Sequence, residues 1–263
     1  MKNLLIHSMA EFSSLTLPIL SAVGAKAIAE IGLEHGGNTG LLIDYAQSVG
    51  GRVHSLDSDM NAIVKARQSW GDQATFVHSR SLDGIPQIAG IDAWFIDGDH
   101  NWYTVINELR AIRKRSRQDR KPMLAFLHDV CWPCARRDCY YDPSSIPEAF
   151  THPHDWQAGV VMDDPSLQPW GFRGNGVFAW AKAEGGARNG VLTAVEDFID
   201  EEGGAFDFHC VKAVFGLGIL VAHNHPFRND IADKLEPFTD NDMIIALEEN
   251  RLRNYLEVLR LTA

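Results

Sequence analysis

The first half of the chain alternates short apolar runs with stretches whose apolar residues recur at helical spacing. Strands that alternate with helices at such intervals favour βαβ units, with a right-handed crossover between parallel strands. The pattern therefore predicts an α/β fold built on a doubly wound, mostly parallel sheet. The predicted strands are residues 25–33, 52–56, 74–78, 92–96 and 123–127, and the predicted helices are 11–23, 39–49, 62–70 and 102–116.

This alternation stops after His128. Residues 130–175 are rich in Pro, Trp, His, Cys and Asp and show no sustained period. A segment of that length without regular structure is uncommon in a domain unless it covers or binds a ligand. We therefore predict one domain over residues 1–263, with 130–175 as an inserted lid or substrate-binding segment after strand five. The α/β pattern then resumes, with apolar runs at 176–182 and 213–222 and helices at 191–202 and 240–261.

Composition narrows the class of partners. The 263 residues carry a formal net charge of -11, and an acidic surface repels the phosphates of nucleic acids and of anionic membranes. No run approaches the roughly 20 apolar residues that a membrane span requires. Residues 1–20 show no export signal, so we expect a cytoplasmic protein with reduced cysteines. The amphipathic helix at 240–261 offers a surface for a homodimer.

The turn after the first predicted strand is rich in glycine and runs from Glu30 to Thr39 as EIGLEHGGNT. Glycines let the backbone turn tightly and let a ligand approach, and the helix that follows offers free N–H groups. The spacing G-x-x-x-G-G differs from the G-x-G-x-x-G of dinucleotide sites. Glu30 would repel a pyrophosphate but could accept a hydrogen bond from an ammonium group. The turn thus favours a nucleoside that carries an amino acid, with an ordinary strand–helix turn as the alternative.

Acidic and hydroxyl side chains follow the next two predicted strands. Asp57 lies about 20 residues past the glycine turn, where an acidic residue binds ribose hydroxyls in a doubly wound fold. Asp59 is placed to cap the following helix. Ser79 and Ser81 follow the third strand, where the adenine end of a ligand lying across the sheet edge would reach. Serines at such positions are also ordinary turn residues.

Acidic and imidazole side chains also follow the fourth and fifth strands. Asp97 and His100 belong to the sequence Asp-Gly-Asp-His, and His128-Asp129 closes the fifth strand. Open α/β sheets bind ligands at the carboxyl ends of their strands, so these side chains converge if the two strands are neighbours. Oxygen-rich sites suit Mg²⁺, and added imidazole also tolerates Mn²⁺, Fe²⁺ or Zn²⁺. The alternative is that the acids cap helices and anchor loops.

Three cysteines of the inserted segment, Cys131, Cys134 and Cys139, have a spacing that resembles part of a zinc or iron–sulfur site. A structural zinc site usually repeats its paired ligands, and the sequence holds no second C-x-x-C. We therefore interpret these residues as cysteines without a metal.

Residues 11–130 resemble the class I S-adenosylmethionine-dependent methyltransferases. The Glu-x-Gly-x-x-x-Gly turn, the strand end at Asp57 and the Ile-Asp-Gly-Asp-His element carry the resemblance, and the last is most similar to macrocin-type small-molecule O-methyltransferases. The resemblance implies S-adenosylmethionine as cofactor, with its methionine part at the glycine turn and its ribose at Asp57. The cofactor-binding residues expected on this basis are Glu30, Gly32, Gly36, Asn38, Thr39, Asp57, Ser81 and Asp97.

The same resemblance assigns the chemistry. His100 matches the general base of the macrocin-type enzymes, and imidazole can take a hydroxyl proton near neutral pH. Asp97 would be a second catalytic residue, and also a ligand of Mg²⁺ or another divalent metal together with His128 and Asp129. The family ends its fifth strand in adjacent acidic ligands, so His128 departs from the pattern and leaves the metal open.

The expected function is therefore methylation of a small-molecule acceptor, with oxygen as the expected site. A metal-dependent oxygenase or hydrolase of the cephalosporin hydroxylase type is an alternative, because His100, His128 and Asp129 could ligate iron. A non-catalytic S-adenosylmethionine-binding protein is another alternative. The acidic and imidazole groups at both strand ends argue against it.

Overall fold

The computed structural model describes residues 8–262. The expectation about an export signal concerned residues 1–20, and residues 1–7 of that stretch lie outside the described residues. Seven strands form the main sheet. They are β1 (Ala27–Ile31), β2 (Arg52–Asp57), β3 (Thr75–His78), β4 (Ala93–Ile96), β5 (Leu124–His128), β12 (Phe206–Val211) and β13 (Leu217–Ala222). Six shorter strands, β6 to β11, come between β5 and β12 in the chain.

The topology of the main sheet confirms the predicted fold. Its strand order is β12-β13-β5-β4-β1-β2-β3. All neighbours from β5 to β3 are parallel, whereas β13 is antiparallel to both β5 and β12. The sheet is therefore doubly wound and mostly parallel. The chain winds in opposite directions from β1, which opens a crevice at the carboxyl ends of β1 and β4.

Helices cover both faces of this sheet. The α-helices of the described residues are α1 (Ser13–Ala22), α2 (Gly37–Ser48), α3 (Met60–Trp70), α4 (Ser81–Gly84), α5 (Trp102–Asp119), α6 (Val191–Glu201), α7 (Arg228–Leu235) and α8 (Asp242–Thr262). Burial on both faces explains why the strands appear in the sequence as continuous apolar runs.

Strand β4 shows how the two cores form. Successive side chains of a strand point to opposite faces. Trp94 and Ile96 accordingly join the cluster that contains the apolar sides of α5 and α6. Ala93 and Phe95 join the other cluster, with residues of α1, α2, α3 and α7. All four residues are buried, so the sheet is the middle layer of three.

The segment between β5 and α6 is ordered into two small antiparallel sheets. Their strand orders are β6-β11-β7 and β10-β8-β9. The strands are β6 (Cys139–Tyr140), β7 (His154–Asp155), β8 (Gly159–Val161), β9 (Asp164–Gln168), β10 (Phe172–Arg173) and β11 (Ala179–Ala181). Strands of two to five residues are too short to show a hydrophobic period, which explains why the sequence predicted no elements over residues 130–175.

The apolar run at 176–182 contains a strand, β11, but this strand does not belong to the main sheet. The apolar run at 176–182 predicts a return to the main sheet, but β11 pairs with β6 and β7 in a small sheet. The Trp180 indole donates to the backbone oxygen of Phe172 at 2.8 Å, which further ties β11 to the insertion. The insertion therefore continues beyond residue 175 to the start of α6.

Buried polar contacts attach the insertion to the main domain. Asp138 is fully buried and accepts hydrogen bonds from the backbone N–H groups of Trp102 and Gly190 at 2.8 and 2.7 Å. The Tyr140 hydroxyl also donates to Asp138, at 2.8 Å. Because Trp102 starts α5 and Gly190 precedes α6, one carboxylate joins the insertion to both helices.

The predicted terminal helix is present as α8, but its apolar stripe is only partly buried. Leu252 and Leu256 pack against the domain, whereas Leu247 is 63% exposed. A homodimer through this helix stays a prediction. Among residues 8–262, the structure contains no helix that is long and apolar enough to cross a membrane.

Candidate functional site

A groove of about 960 Å³ runs along the carboxyl ends of the parallel strands. The turns after β1 to β4 form its floor, and Asp129 after β5 closes one end. Six of the predicted site residues line it. They are Gly32, Asp57, Ser81, Asp97, His100 and Asp129. The sheet thus places residues from five strand ends around one space, as expected for an open α/β fold.

The glycine turn meets the turn after β4 at close range. Gly32 has a φ of +86°, which is favourable only for glycine. A Cβ at this position would also collide with the backbone oxygen of Asp97. Gly32 therefore allows the β1 and β4 turns to lie side by side, and Asp97 borders the groove next to it.

Glu30 has a different position from the predicted one. Its carboxylate is buried and accepts hydrogen bonds from Asn38 Nδ2 at 2.9 Å, Thr39 Oγ1 at 2.7 Å and Ser55 Oγ at 2.9 Å. Burial raises the pKa of Glu30 to about 7, against the opposing effect of these donors. The carboxylate thus connects β1 to α2 and β2 inside the fold.

Within residues 8–262, four of the residues that were predicted to bind the cofactor do not line the groove. They are Glu30, Gly36, Asn38 and Thr39. Direct contact between Glu30 and an ammonium group does not follow from this geometry, because the donors of its own chain already surround the carboxylate. The part of the turn that borders the groove is Gly32, Glu34 and His35.

Asp57 closes β2 and faces the groove. Its Oδ2 accepts the backbone N–H of Leu33 at 2.8 Å, and its Oδ1 accepts that of Asp59 at 2.7 Å. These bonds fix the carboxylate and leave further lone pairs for a ligand. Asp59 accepts the N–H of Asn61 at 2.9 Å, which confirms its predicted role as the cap of α3.

Asp97, His100 and Asp129 come together at the other end of the groove. One potential ligand atom from each of them lies within 4.8 Å of those from the other two. His100 Nε2 is 3.5 Å from a carboxylate oxygen of Asp129, and both side chains are largely buried. Two carboxylates and an imidazole in this arrangement can hold a divalent cation or support proton transfer.

His128 is turned away from the groove and holds the two acids together. Its Nε2 is 2.8 Å from the backbone oxygen of Val214, so this nitrogen is a donor. Its Nδ1 lies 3.2 Å from Asp97 and 3.3 Å from Asp129. Burial disfavours the imidazolium, but the two carboxylates outweigh that effect and hold the pKa of His128 well above its usual value.

The prediction of His128 as a metal ligand is therefore not supported by its geometry. A ligating histidine needs a free lone pair on one ring nitrogen, and both nitrogens of His128 face acceptors of the chain. His100 takes the place of His128 in the cluster that could hold a metal. The sequence could not distinguish the two histidines, because Val214 is 86 residues away from His128.

Asp99 positions His100 at the start of α5. Its buried carboxylate accepts from Asn101 Nδ2 at 2.6 Å, from Thr104 Oγ1 at 2.9 Å and from the His100 N–H at 3.0 Å. Asn101 in turn caps α5 by accepting the N–H of Thr104 at 2.8 Å. Both acids of the Asp-Gly-Asp-His element therefore line the groove, and Asp99 also supports the turn.

The insertion supplies part of the groove wall, which the sequence predicted only in general terms. Tyr141, Asp142, Ser145 and Val177 line the groove. The Tyr141 ring meets the His100 ring edge-on, with centroids 5.9 Å apart. Asp142 forms an ion pair of 3.3 Å with Arg80, which follows β3 across the groove.

Glu108 is a groove residue that sequence reasoning missed. It is fully buried on α5, and neither of its carboxyl oxygens has a hydrogen-bond partner within residues 8–262. Burial raises the pKa of Glu108 to about 8. The available signal was an acidic residue between Ile106 and Leu109, on the apolar side of a predicted helix.

The cysteines are free thiols. Sγ of Cys131 lies 3.6 Å from Sγ of Cys210, a residue that is 79 positions away in the chain. Within residues 8–262, the cluster that could hold a metal contains no cysteine. The interpretation of the C-x-x-C segment as metal-free stays a prediction.

No family model matches this sequence, and no curated protein does. Solved structures are similar to it. The methyltransferase PaMTH1 of Podospora anserina, bound to SAH (S-adenosylhomocysteine), has a TM-score of 0.52 at 13% identity over 82% of this chain and 80% of that chain.

Two further structures have TM-scores of 0.49. They are an O-methyltransferase of Bacillus cereus in complex with SAH, with 15% identity over 82% of this chain and 81% of that chain, and TomG of Streptomyces achromogenes in complex with SAM, with 14% identity over 82% of each chain. At these identities the similarity concerns the fold alone. The conclusion about the fold rests on PaMTH1, which has the TM-score of 0.52. The chain has a Rossmann-like methyltransferase fold.

Proposed function

We propose that the protein is an S-adenosylmethionine-dependent methyltransferase that methylates a hydroxyl group of a small molecule. The observation that carries the proposal is the single groove that joins Asp57 and Gly32 to the cluster at His100. Its volume of about 960 Å³ lies at the upper end of the range for small-molecule sites, so it has room for a cofactor and an acceptor. The fold shared with an SAH-bound methyltransferase supports this assignment.

The groove residues fit the parts of the cofactor. Asp57 has free lone pairs for ribose hydroxyls, and the backbone of Gly32 allows close approach beside it. Ser81 borders the end of the groove where the base would lie. When bound, the cofactor supplies a methyl group already activated on a sulfonium, so the protein has to align the acceptor and move one proton.

His100 is the proposed base. It is a largely buried imidazole of the groove, with 3.5 Å between its Nε2 and a carboxylate oxygen of Asp129. As the acceptor hydroxyl gives up its proton to His100, Asp129 stabilises the imidazolium that forms. Asp97 and Asp129 are themselves held by His128 at 3.2 and 3.3 Å, so the acids keep their orientation. Tyr141 and Val177 provide apolar surface for the acceptor beside His100.

A divalent metal fits the same cluster. Asp97, His100 and Asp129 would hold it, and two carboxylates with one imidazole are ligands for Mg²⁺, Mn²⁺, Fe²⁺ or Zn²⁺. A metal bound there would supply a Lewis acid that lowers the pKa of the acceptor hydroxyl, and it would replace His100 as the source of activation, because a ligating His100 could not also take the proton.

The test of the proposed function is turnover by variants of the cluster. We expect His100→Ala to lower SAH formation with hydroxylated acceptors at least 100-fold, the usual contribution of a general base. Binding of S-adenosylmethionine should persist, because His100 lies away from Asp57. Formation of SAH and binding by calorimetry are the two measurements.

His223→Ala is the matched control. His223 follows β13, which runs antiparallel to β5, so it lies at the opposite edge of the sheet and is exposed. We expect wild-type turnover from it. Near wild-type turnover by His100→Ala with the true acceptor would disprove the role of His100. Failure of the wild-type protein to bind S-adenosylmethionine would remove the proposed function itself.

The oxygenase or hydrolase alternative is favoured by one observation, the three metal-compatible side chains. In that case His100 is a ligand, so it cannot act as the base at the same time. Metal analysis of the purified protein, with oxygen consumption as the assay, distinguishes the two functions. Bound iron with acceptor-dependent oxygen uptake would support the alternative.

A further inference from the structure

The groove has two ends, and the proposed methyl transfer occupies only one of them. His100 and Asp129 lie at the end bordered by β4 and β5, whereas Ser81 lies beyond Asp57 at the end bordered by β3. In an adenosine cofactor, the sulfonium and the base are attached to opposite sides of the ribose. With the sulfonium near His100 and the ribose at Asp57, the base has to lie toward Ser81.

Glu108 lines the groove at that end. It lies one helical turn after Thr104 on α5 and faces Ser81, the first residue of α4. Native proteins rarely leave a buried polar group unpaired, and such a group calls for a ligand or an ordered water. Both carboxyl oxygens of Glu108 are buried and make no hydrogen bond of good geometry within residues 8–262, although the Ser81 hydroxyl lies near enough to act on the pKa of the group. Glu108 is therefore a candidate to bind whatever occupies this end.

The charge state of Glu108 defines what it can bind. Burial raises its pKa to about 8, the Ser81 hydroxyl on α4 opposes the rise, and Asp99 before α5 adds to it. At neutral pH the group is accordingly a carboxylic acid, with one donor and one acceptor side by side. Adenine presents the complementary pair, because its 6-amino group donates and the adjacent N1 accepts.

We propose that Glu108 recognises the adenine of the cofactor by accepting a hydrogen bond from its 6-amino group and donating one to N1. This inference rests on the proposed function, since it names the residue that reads the base of the cofactor. Leu56 and Leu82 also line this part of the groove and give apolar surface for the flat faces of the base. An ionised Glu108 would keep the first hydrogen bond and lose the second.

The first test is calorimetric binding of SAH at pH 6.5. We expect Glu108→Leu to bind about 10- to 100-fold more weakly, because it loses a paired donor and acceptor. Glu108→Gln should bind within about threefold of wild type, since a carboxamide keeps one donor and one acceptor in the same place. Glu249→Gln, an exposed glutamate of α8, is the control and should bind like wild type.

The pH dependence gives a second measurement that does not need a disruptive variant. Only the protonated form offers the donor to N1, so apparent affinity falls with the fraction of that form. Wild-type binding should weaken more than tenfold between pH 7 and pH 9.5, relative to Glu108→Gln over the same range. The ratio to Glu108→Gln removes the titration of the amino group of SAH itself.

The 1-deaza analogue of SAH assigns the contact to N1. It should bind more weakly than SAH to the wild-type protein and with equal affinity to Glu108→Leu. If Glu108→Leu is misfolded by circular dichroism, the pH ratio and the analogue with wild type and Glu108→Gln remain decisive.

The inference is overturned if wild type binds SAH and Glu108→Leu binds it as tightly. It is also overturned if the wild-type and Glu108→Gln affinities change with pH in parallel. A wild-type protein that does not bind SAH at any pH would instead show that the proposed function is wrong. The two failures are therefore distinguishable.

Discussion

Two buried glutamates lie beneath the carboxyl edge of the same sheet, and their surroundings are opposite. Glu30 on β1 accepts hydrogen bonds from three side chains of α2 and β2. Glu108 on α5 has no hydrogen-bond partner within residues 8–262 and borders the groove. The contrast shows that burial of an acid does not by itself indicate a binding role. What separates the two is whether the fold supplies the partners.

The difference arises from the position of each residue in the layers. The side chain of Glu30 lies in the core of a βαβ unit, where the first turn of α2 and the strand β2 bring hydroxyl and amide donors to it. Glu108 lies where α5 meets the short helix α4, at the margin of the groove. A ligand can therefore supply hydrogen-bond partners to Glu108, whereas Glu30 already has its partners within the fold.

The largest effect should come from removing the internal acceptor. We expect Glu30→Leu to lower the free energy of unfolding by about 4 kcal/mol at pH 6, because Asn38, Thr39 and Ser55 are left without their acceptor. Urea denaturation measures the change.

The same substitution at Glu108 sharpens the contrast. Glu108→Leu removes an unpaired buried carboxyl, so in the absence of ligand its stability should equal or exceed that of wild type. Equal losses of stability in Glu30→Leu and Glu108→Leu would show that the two sites are equivalent and would refute the comparison.

The next effect concerns pH. Folding raises the pKa of Glu108 from 4.5 to about 8, so the folded state holds this proton more tightly than the unfolded state. The contribution of this proton to the free energy of unfolding is complete below pH 4.5. It declines as the pH rises and is lost once the pH passes about 8. Glu108→Gln does not titrate there. Relative to wild type, it should gain about 4 kcal/mol between pH 5 and pH 9 in urea denaturation.

A matching experiment at Glu30 has a narrower window. The pKa of Glu30 rises from 4.5 to about 7, so the contribution of its proton to the free energy of unfolding declines over that interval and is constant above it.

A relative stability of Glu108→Gln that stays flat from pH 5 to pH 9 would contradict the raised pKa of Glu108.

The smallest effect should come from the ion pair over the groove. Arg80 and Asp142 are both more than half exposed, and exposed pairs contribute about 0.5 kcal/mol or less. Asp142→Ala should therefore change the free energy of unfolding by no more than that, with a similarly small change in SAH affinity. A tenfold change in affinity would mean that the insertion, and not Glu108, dominates binding at this end.

The parallel sheet could be predicted from the sequence because its signals are local. The strands β1, β4 and β5 are apolar runs, and the glycine turn and the acids at these strand ends follow them directly. Gly32, Asp57, Asp97, His100 and Asp129 were thus placed at the ligand edge without knowledge of any contact. The predicted roles of these residues still await the experiments above.

The insertion could not be predicted in the same way. Its strands are two to five residues long, and its attachment depends on Asp138, which bonds Trp102 and Gly190 at separations of 36 and 52 residues. Periodicity carries no information about such pairs. For this reason the sequence predicts that the α/β pattern resumes at 176–182, although β11 within that run pairs with strands of the insertion.

By itself, then, the sequence determined the α/β class, the parallel strands and the set of polar groups at their ends, because each depends on neighbours along the chain. Only the tertiary structure decided what those groups do. The side chains of Glu30 and His128 make hydrogen bonds inside the fold. His100 lies with Asp97 and Asp129 in one cluster. Glu108 lies beside the groove without a hydrogen bond of good geometry within residues 8–262. The physical reason is that a buried polar group is defined by its partners, and these come from distant parts of the chain.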